Sequence, residues 1–314
     1  MVDEIQRLPS LLNEVHRFIE ERRLRFALLG SSARKLKTAG TNLLAGRALR
    51  KQMFPLTPQE LGPDFDLEQI LHYGSIPLVW QAEDRRATLG AYVQTYLREE
   101  IRAESIVRNL PGFARFLPVA ALFHGQAINV AGIARDAGTA RTTVEGYIEI
   151  LEDTLLAWRL RAYEAKLLAR ERKHPKLFWV DPGLVRAVKK QLDAPTAEER
   201  GHLFEGWILM LLRCYAEERA LFDEIFYWAP VQARRLEVDF LLRRGRELLA
   251  IEVKTTPRFQ TGLVAGLSAI AELPNVVRRV LVYGGSRRLR TTEGIEVWPL
   301  QVFLDALAGG RLWP

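Results

Sequence analysis

Four polar residues near the carboxyl-terminal end of the chain have the types and spacing used in metal-dependent phosphodiester chemistry. Asp239 precedes the triplet Glu252-Val253-Lys254, and Glu205 lies upstream beside an apolar helical stretch. Converging carboxylates repel one another unless a cation binds them, and Mg²⁺ prefers such oxygen ligands. The metal would polarise a phosphoryl oxygen and activate a water. We predict that Glu205, Asp239 and Glu252 are metal ligands and that Lys254 orients the water or stabilises the developing charge.

The same four residues also fit a surface hairpin whose charges have no catalytic role. The hairpin register separates the two interpretations. With Gly245 at the turn, Asp239 lies opposite Ala250. Asp239 then shares a sheet face with Glu252 and Lys254, whereas a slip of one residue would move it to the other face. A metal-dependent nuclease and an inert binding fold both remain open, because a fold alone does not guarantee an active site.

The hydrophobic pattern of the last third of the chain predicts the elements that position these residues. We expect a helix over 203–215, strands over 224–228, 236–242 and 247–254, a helix over 263–273 and a strand over 279–283. The order α-β-β-β-α-β is typical of restriction-endonuclease-like nucleases, so the predicted fold class is mixed α/β.

A glycine turn between two short amphipathic segments predicts a helix-turn-helix upstream of this domain. The helices span 130–137 and 141–152, and Gly138 supplies the tight turn. Possible strands at 155–163 and 176–181 would make it a winged variant. Arg141, Thr142 and Thr143 begin the second helix, where a DNA-binding protein contacts phosphates or base edges. The alternative is a scaffold for protein contacts, because glutamates further along the helix would repel phosphate.

Composition limits the classes of protein that fit. The chain has 314 residues, a net charge of +7 and a single cysteine, Cys214. One cysteine excludes an intramolecular disulfide and a multi-cysteine metal site. No apolar run approaches the roughly 18–20 residues that span a bilayer. The basic charge fits either a nucleic-acid partner or an arginine-rich composition without a binding role, and the local clustering of arginines slightly favours DNA. We predict a cytoplasmic protein without membrane association.

The first 60 residues read as a fragment of an α/β unit. An amphipathic helix is predicted around residues 11–19, and the apolar run at 26–29 predicts a strand that leads into Gly30-Ser31-Ser32. Residues 61–120 have helical periodicity. A lone helix and strand cannot complete a sheet, so the pattern indicates that part of this unit is missing or is supplied by another chain.

The whole chain resembles prokaryotic AAA-type P-loop ATPases that carry a C-terminal domain of unknown function 4143. Matching stretches occur in the family's order at residues 3–9, 28–32, 44–47, 55–57, 92–99, 129–151, 176–184, 203–205, 237–240 and 252–254. The resemblance implies an ATPase remnant (1–60), a helical linker or lid (61–120), a winged helix-turn-helix (121–190) and a restriction-endonuclease-like domain (195–314).

The resemblance also implies roles for four residues of a vestigial nucleotide site. Asp3 and Glu4 resemble the Walker B pair that holds Mg²⁺ and activates water. Ser31, or its neighbour Ser32, resembles the sensor that follows the fourth strand. Arg47 resembles the arginine that reaches the γ-phosphate bound by a neighbouring subunit.

The chain departs from this family at the phosphate-binding loop. No G-x-x-x-x-G-K-[S/T] sequence occurs anywhere in it. We therefore expect this chain alone not to hydrolyse ATP, and we expect ATP to bind only to a longer form that supplies the loop. Without the complete ATPase module, we expect a monomer or a weak oligomer. Three functions stay open: a Mg²⁺-dependent nuclease-like DNA-binding protein, an inert DNA- or protein-binding regulatory module, and an ATPase whose P-loop lies upstream of Met1.

Overall fold

The computed structural model describes residues 1–30, 47–96, 109–164, 174–230 and 236–314. Its α-helices are α1 (Leu11–Arg22), α2 (Pro58–Leu61), α3 (Leu67–Tyr73), α4 (Pro77–Trp80), α5 (Arg85–Ala91), α6 (Leu110–Leu122), α7 (Val130–Asp136), α8 (Arg141–Asp153), α9 (Pro182–Lys189), α10 (Ala197–Arg219), α11 (Ala265–Ala269) and α12 (Leu300–Ala308). No helix in these ranges has the length and apolarity needed to cross a membrane.

The strands form two sheets. They are β1 (Gln126–Ala127), β2 (Ala157–Leu160), β3 (Lys176–Trp179), β4 (Glu224–Trp228), β5 (Val238–Arg244), β6 (Glu247–Lys254), β7 (Val276–Tyr283), β8 (Leu289–Arg290) and β9 (Glu296–Pro299). Within the described chain, the small sheet has the order β1-β3-β2 and the large sheet the order β4-β5-β6-β7-β9-β8. The mixed α/β class expected from the sequence is confirmed.

The large sheet is buried on both faces. Helix α10 packs on one face, where Phe240, Ile251 and Val253 join a large hydrophobic core. Helix α11 packs on the other face against Leu241 and Ala250. Strands β4, β5 and β6 are antiparallel, whereas β6, β7 and β9 run parallel. The carboxyl ends of β6 and β7 and the amino end of β5 therefore lie at one sheet edge.

The two sheets meet at β4, an edge strand of the large sheet. Residues that follow β2 run beside β4 and form a parallel bridge between Ala162 and Tyr227. The Tyr163 N–H donates to the Tyr227 carbonyl at 2.7 Å, and the Tyr227 N–H donates to the Arg161 carbonyl at 3.0 Å. This junction brings β3 of the small sheet close to the predicted active-site residues.

Helices α3 and α9 are joined by a buried carboxylate. Asp181 caps α9 by accepting from the Leu184 N–H at 2.9 Å, and it also accepts from the Ser75 N–H at 2.7 Å. Burial raises the pKa of Asp181 to about 6, against the opposing effect of these backbone donors. Gly183 lies so close to the end of α3 that a Cβ there would be 1.9 Å from the Tyr73 carbonyl oxygen.

The amino-terminal segment forms a small packed unit. Val2 and Leu28 make a parallel bridge on either side of α1, instead of the full strand expected at 26–29. Leu12 and Val15 are the buried residues of the helix. A helix between two parallel segments is the βαβ arrangement expected of an α/β unit.

One other local expectation, the single helix over 263–273, was wrong. The helix predicted over 263–273 is divided into a 3₁₀ turn, the short α11 and a second 3₁₀ turn. Pro111 and Gly112 lie in the first turn of α6, where Asn109 caps the helix by accepting from the Gly112 N–H. Proline is tolerated there because the first helical N–H groups have no intrahelical partner.

Candidate active site

A β-bulge determines where Asp239 lies. Phe226 of β4 pairs with Leu241, but Trp228 pairs with Val238, so β5 holds one extra residue in this interval. Val238 and Leu241 therefore contact the same core despite being three residues apart. Bulges of this kind redirect side chains and are common beside active sites.

The register of the hairpin differs from the predicted one by two residues. Ala250 pairs with Leu241 rather than with Asp239. Asp239 instead lies beyond the last ladder pair and opposite Glu252. A shift of two residues keeps each side chain on its original face, so the expectation that Asp239, Glu252 and Lys254 lie together is met.

Asp239, Glu252 and Lys254 contact one another directly. The Val253 N–H donates to Asp239 Oδ2 at 2.8 Å, and the Asp239 N–H donates to Glu252 Oε2 at 3.3 Å. Lys254 Nζ lies 2.6 Å from Glu252 Oε1 and 3.5 Å from Asp239 Oδ2. The side chain of Lys254 is 33% exposed and that of Asp239 only 5%, so the cluster opens to solvent at the lysine.

Glu205 brings a third predicted carboxylate to this cluster from α10. Its Oε2 atom is buried and accepts no hydrogen bond. Burial and the charge of Asp239 raise the pKa of Glu205, while the ammonium groups of Lys176 and Lys254 lower it. An unpartnered buried carboxylate oxygen is costly, so its presence calls for a proton or a cation.

Two members of the cluster, Lys176 and Glu237, were not predicted from the sequence. Lys176, the first residue of β3, is buried and forms an ion pair with Glu237. The Lys176 ammonium also lies over the Tyr227 ring, 5.4 Å from its centroid. Burial lowers the pKa of Lys176, but the negative charges of Glu205, Asp239 and Glu237 outweigh this and raise it. Lys176 thus belongs to the small sheet yet neutralises carboxylates of the large one.

The cluster carries more negative than positive groups. The carboxylates of Glu205, Glu237, Asp239 and Glu252 face the ammonium groups of Lys176 and Lys254. Burial, followed by the charge of Asp239, raises the pKa of Glu252, and Lys254 partly opposes this. Four ionised carboxylates would exceed two ammonium groups by two charges, the charge of one divalent cation.

The donor set suits Mg²⁺, but the side chains are not arranged around a metal position. Among the described residues, no three His, Cys, Asp or Glu side chains are grouped in a way that could hold a metal ion. Lys254 contacts both Asp239 and Glu252 and so occupies the space between these carboxylates. Binding of a cation here would therefore require the lysine to move.

His202 lies one helical turn before Glu205 and connects the cluster to a cavity. The cavity has a volume of about 550 Å³ and is lined by His202, Lys189 and Glu199, among others. Burial lowers the pKa of His202, with a further contribution from Lys176. The spacing of three residues from Glu205 places both on one helix face, a signal that the sequence contained.

The residues predicted to contact DNA lie at the start of α8 and are exposed or partly exposed. Gly138 adopts φ +62° in the turn between α7 and α8. Arg141 and Thr142 are exposed at the start of α8, and Thr143 is partly exposed. Glu152, at the other end of the helix, is paired with Arg159 of β2.

The proposed nucleotide residues are only partly described. Asp3 follows the Val2 bridge directly, and its Oδ1 accepts from the Glu4 N–H at 2.9 Å. Arg47 is paired with Glu20 of α1 at 2.5 Å. Ser31 and Ser32 lie outside the described residues.

Three family models match successive parts of the chain. The model described as an AAA domain matches residues 1–62. Two models described as domains of unknown function follow, DUF8612 at residues 64–195 and DUF4143 at residues 200–303. An AAA-like segment followed by DUF4143 is consistent with a protein of the AAA-type ATPase class.

Three similar proteins are described as uncharacterized. A protein of Mycobacterium bovis and one of Mycobacterium tuberculosis are each 27% identical over 96% of this chain and 68% of the relative. A Haemophilus influenzae protein is 22% identical over 96% of this chain and 77% of its own length. A crystal structure of a Vibrio cholerae protein aligns with 96% of this chain and 78% of that chain at 13% identity and a TM-score of 0.27.

Proposed function

We propose that the carboxyl-terminal domain is a Mg²⁺-dependent nuclease-like module that acts on DNA, within a protein related to AAA-type ATPases. The observation that supports this is the contact of Asp239, Glu252 and Lys254 at one sheet edge, with the unpartnered oxygen of Glu205 beside them. Carboxylates that bind a metal ion and a lysine that stabilises negative charge are groups able to promote hydrolysis of a phosphodiester.

The residues divide into distinct roles in this proposal. Glu205, Asp239 and Glu252 would hold Mg²⁺, which when bound polarises the phosphate and makes water more acidic. Lys254 is more exposed than Asp239 and Glu252 and would move from these two carboxylates to the substrate, where its ammonium stabilises negative charge at the phosphorus. Lys176 would stay buried and keep the remaining carboxylates compensated.

Replacing Glu252 by glutamine is expected to abolish DNA cleavage while leaving the fold intact. Glutamine keeps the size of the side chain but loses the charge that binds a cation. We expect cleavage of plasmid and single-stranded DNA in Mg²⁺ or Mn²⁺ to fall at least about 100-fold, as for removal of one group that stabilises a transition state. Lys254→Ala should show a similar loss.

Glu247→Gln is the matched control for this experiment. Glu247 starts the same strand, is exposed, and pairs with Arg244 at 3.1 Å rather than with the cluster. We expect its cleavage rate to equal that of the unaltered protein. Cleavage that survives Glu252→Gln, or no cleavage by the unaltered protein, would refute the nuclease assignment and favour an inert binding module.

The helix-turn-helix gives a separate test of DNA contact. Arg141 is exposed at the start of α8 and would contact phosphate in the proposed orientation. Arg141→Ala should weaken binding of duplex DNA uniformly across sequences and lower the salt dependence by about one phosphate contact. Unchanged binding would favour a protein-contact role for this motif.

A second candidate function is that of an ATPase completed by a P-loop outside this sequence. The AAA-domain match over residues 1–62 favours it, as does the packed βαβ unit around α1. The chain alone should release no phosphate from ATP, because it contains no glycine-rich loop with a lysine. Phosphate release by purified chain would contradict this expectation.

A further inference from the structure

Two loops beside the carboxylate cluster present arginines that have no acidic partner among the described residues. One loop follows β6 and carries Arg258, and the other follows β7 and carries Arg287. Both arginines are exposed, and neither forms an ion pair within the described ranges. Other arginines of the large sheet do pair with acidic residues, for example Arg278 and Arg288 with Glu296.

The sheet places both arginines next to Lys254. Strands β6 and β7 are parallel, and Lys254 pairs with Tyr283 at their carboxyl ends. Arg258 follows Lys254 by four residues and Arg287 follows Tyr283 by four residues. Four residues span at most about 14 Å, so both arginines lie near the site opening.

The two loops are held together as one rigid surface. The Gly284 N–H donates to the Thr256 carbonyl at 3.1 Å, and a Cβ on Gly284 would be 2.4 Å from the Thr255 carbonyl oxygen. The Tyr283 hydroxyl donates to the Arg287 carbonyl at 2.7 Å and accepts from the Arg287 N–H at 3.0 Å. A charged surface that is already ordered binds without a large entropic cost.

We propose that Arg258 and Arg287 bind the phosphodiester backbone of the nucleic acid and direct it into the Asp239–Glu252–Lys254 cluster. This inference rests on the proposed function, since it assigns the substrate-binding surface of that site. Unpaired guanidinium groups bind phosphate oxygens, and the counterions released make the affinity depend steeply on salt.

The test measures binding separately from cleavage. In a Glu252→Gln background, anisotropy of a labelled DNA duplex and of an RNA duplex of the same sequence is followed against salt concentration. Arg258→Ala/Arg287→Ala should lower the slope of log affinity against log salt by about two and weaken binding about tenfold at ~0.1 M salt. Equal losses of affinity for both duplexes support the inference and indicate recognition of the phosphodiester backbone alone. A loss of affinity confined to the DNA duplex also supports the inference and identifies DNA as the ligand.

Arg246→Ala is the matched control. Arg246 is exposed at the β5–β6 turn, and its eight-residue separation from Lys254 along an extended strand is roughly 26 Å. It should change the slope little. An effect of Arg246→Ala equal to half that of the double variant, or no nucleic-acid binding at all, would overturn the inference. Nucleic-acid binding that depends on Arg258 and Arg287, without cleavage by the unaltered protein, would refute only the nuclease activity.

Discussion

Replacing Lys176 by methionine is expected to destabilise the protein by about 3 kcal/mol, measured by urea denaturation. Methionine fills the same space but leaves Glu237 without its ion-pair partner and leaves Glu205 and Asp239 less compensated. Removing one partner of a buried ion pair costs about 3–5 kcal/mol, because the other charge stays desolvated. Glu237 is partly exposed, so we expect the lower end of this range.

The pH dependence of this variant gives a second readout. Lys176 lowers the pKa of Glu205, so its removal raises the pKa of that carboxyl in the folded protein further above the unfolded value. The folded variant then binds protons more readily than the unfolded chain. The free energy of unfolding of the variant therefore decreases as the pH rises through the pKa of Glu205 in the folded protein. The difference in stability between the variant and the unaltered protein becomes smaller as the pH falls.

Two controls distinguish charge from packing. Lys51→Met removes an exposed lysine that donates to the Glu217 carbonyl at 2.8 Å, and it should cost less than about 1 kcal/mol. Lys176→Met/Glu237→Gln removes both charges of the pair and should recover part of the lost stability. A loss at Lys176 no greater than at Lys51 would show that the buried pair does not hold the two sheets together.

Gly183→Ala is the second substitution with a large expected effect. A Cβ at this position would lie 1.9 Å from the Tyr73 carbonyl oxygen and 2.7 Å from the Gly74 nitrogen. Because both are backbone atoms, α3 and α9 must move apart, which strains the Asp181 hydrogen bonds that join them. We expect a loss of about 3 kcal/mol in the free energy of unfolding.

Gly146→Ala is the control for helix propensity. Gly146 lies inside α8, and a Cβ there would meet nothing within 4 Å. Alanine should therefore stabilise the protein by roughly 0.5–1 kcal/mol. A neutral or favourable effect at Gly183 would mean that the close approach of the two helices does not occur in solution.

The sequence was sufficient to predict the local part of the candidate site. The strand 247–254 was predicted with the bounds it has in β6, because its apolar residues and the Gly245 turn both indicate them. Glu252 and Lys254 share a face through the two-residue period of a strand. Asp239 joined them despite the wrong register, because the error was an even number of residues.

The nonlocal part could not be predicted. The bulge at Asp239 depends on pairing with β4, which no local pattern reports. Lys176 begins the apolar strand Leu177-Phe178-Trp179, where a lysine ordinarily stays at the surface. Only the docking of the small sheet against the large one brings it to Glu237, 61 positions later.

The split helix at 261–272 has a comparable cause. Gly266 approaches the Glu237 carbonyl so closely that a Cβ would be 1.9 Å from it, so this segment follows the shape of the sheet rather than its own periodicity. Tertiary contact therefore overrides helix propensity here.

The bridge between Ala162 and Tyr227 limits how this protein can be divided into autonomous parts. A fragment beginning after residue 195, where the last domain was predicted to start, would leave β4 as an open edge able to recruit another strand. It would also lack Lys176 and so carry an uncompensated acidic cluster. Self-association and weak activity of such a fragment would result from the position of the cut. The shortest fragment that keeps the native arrangement must retain β2 and β3.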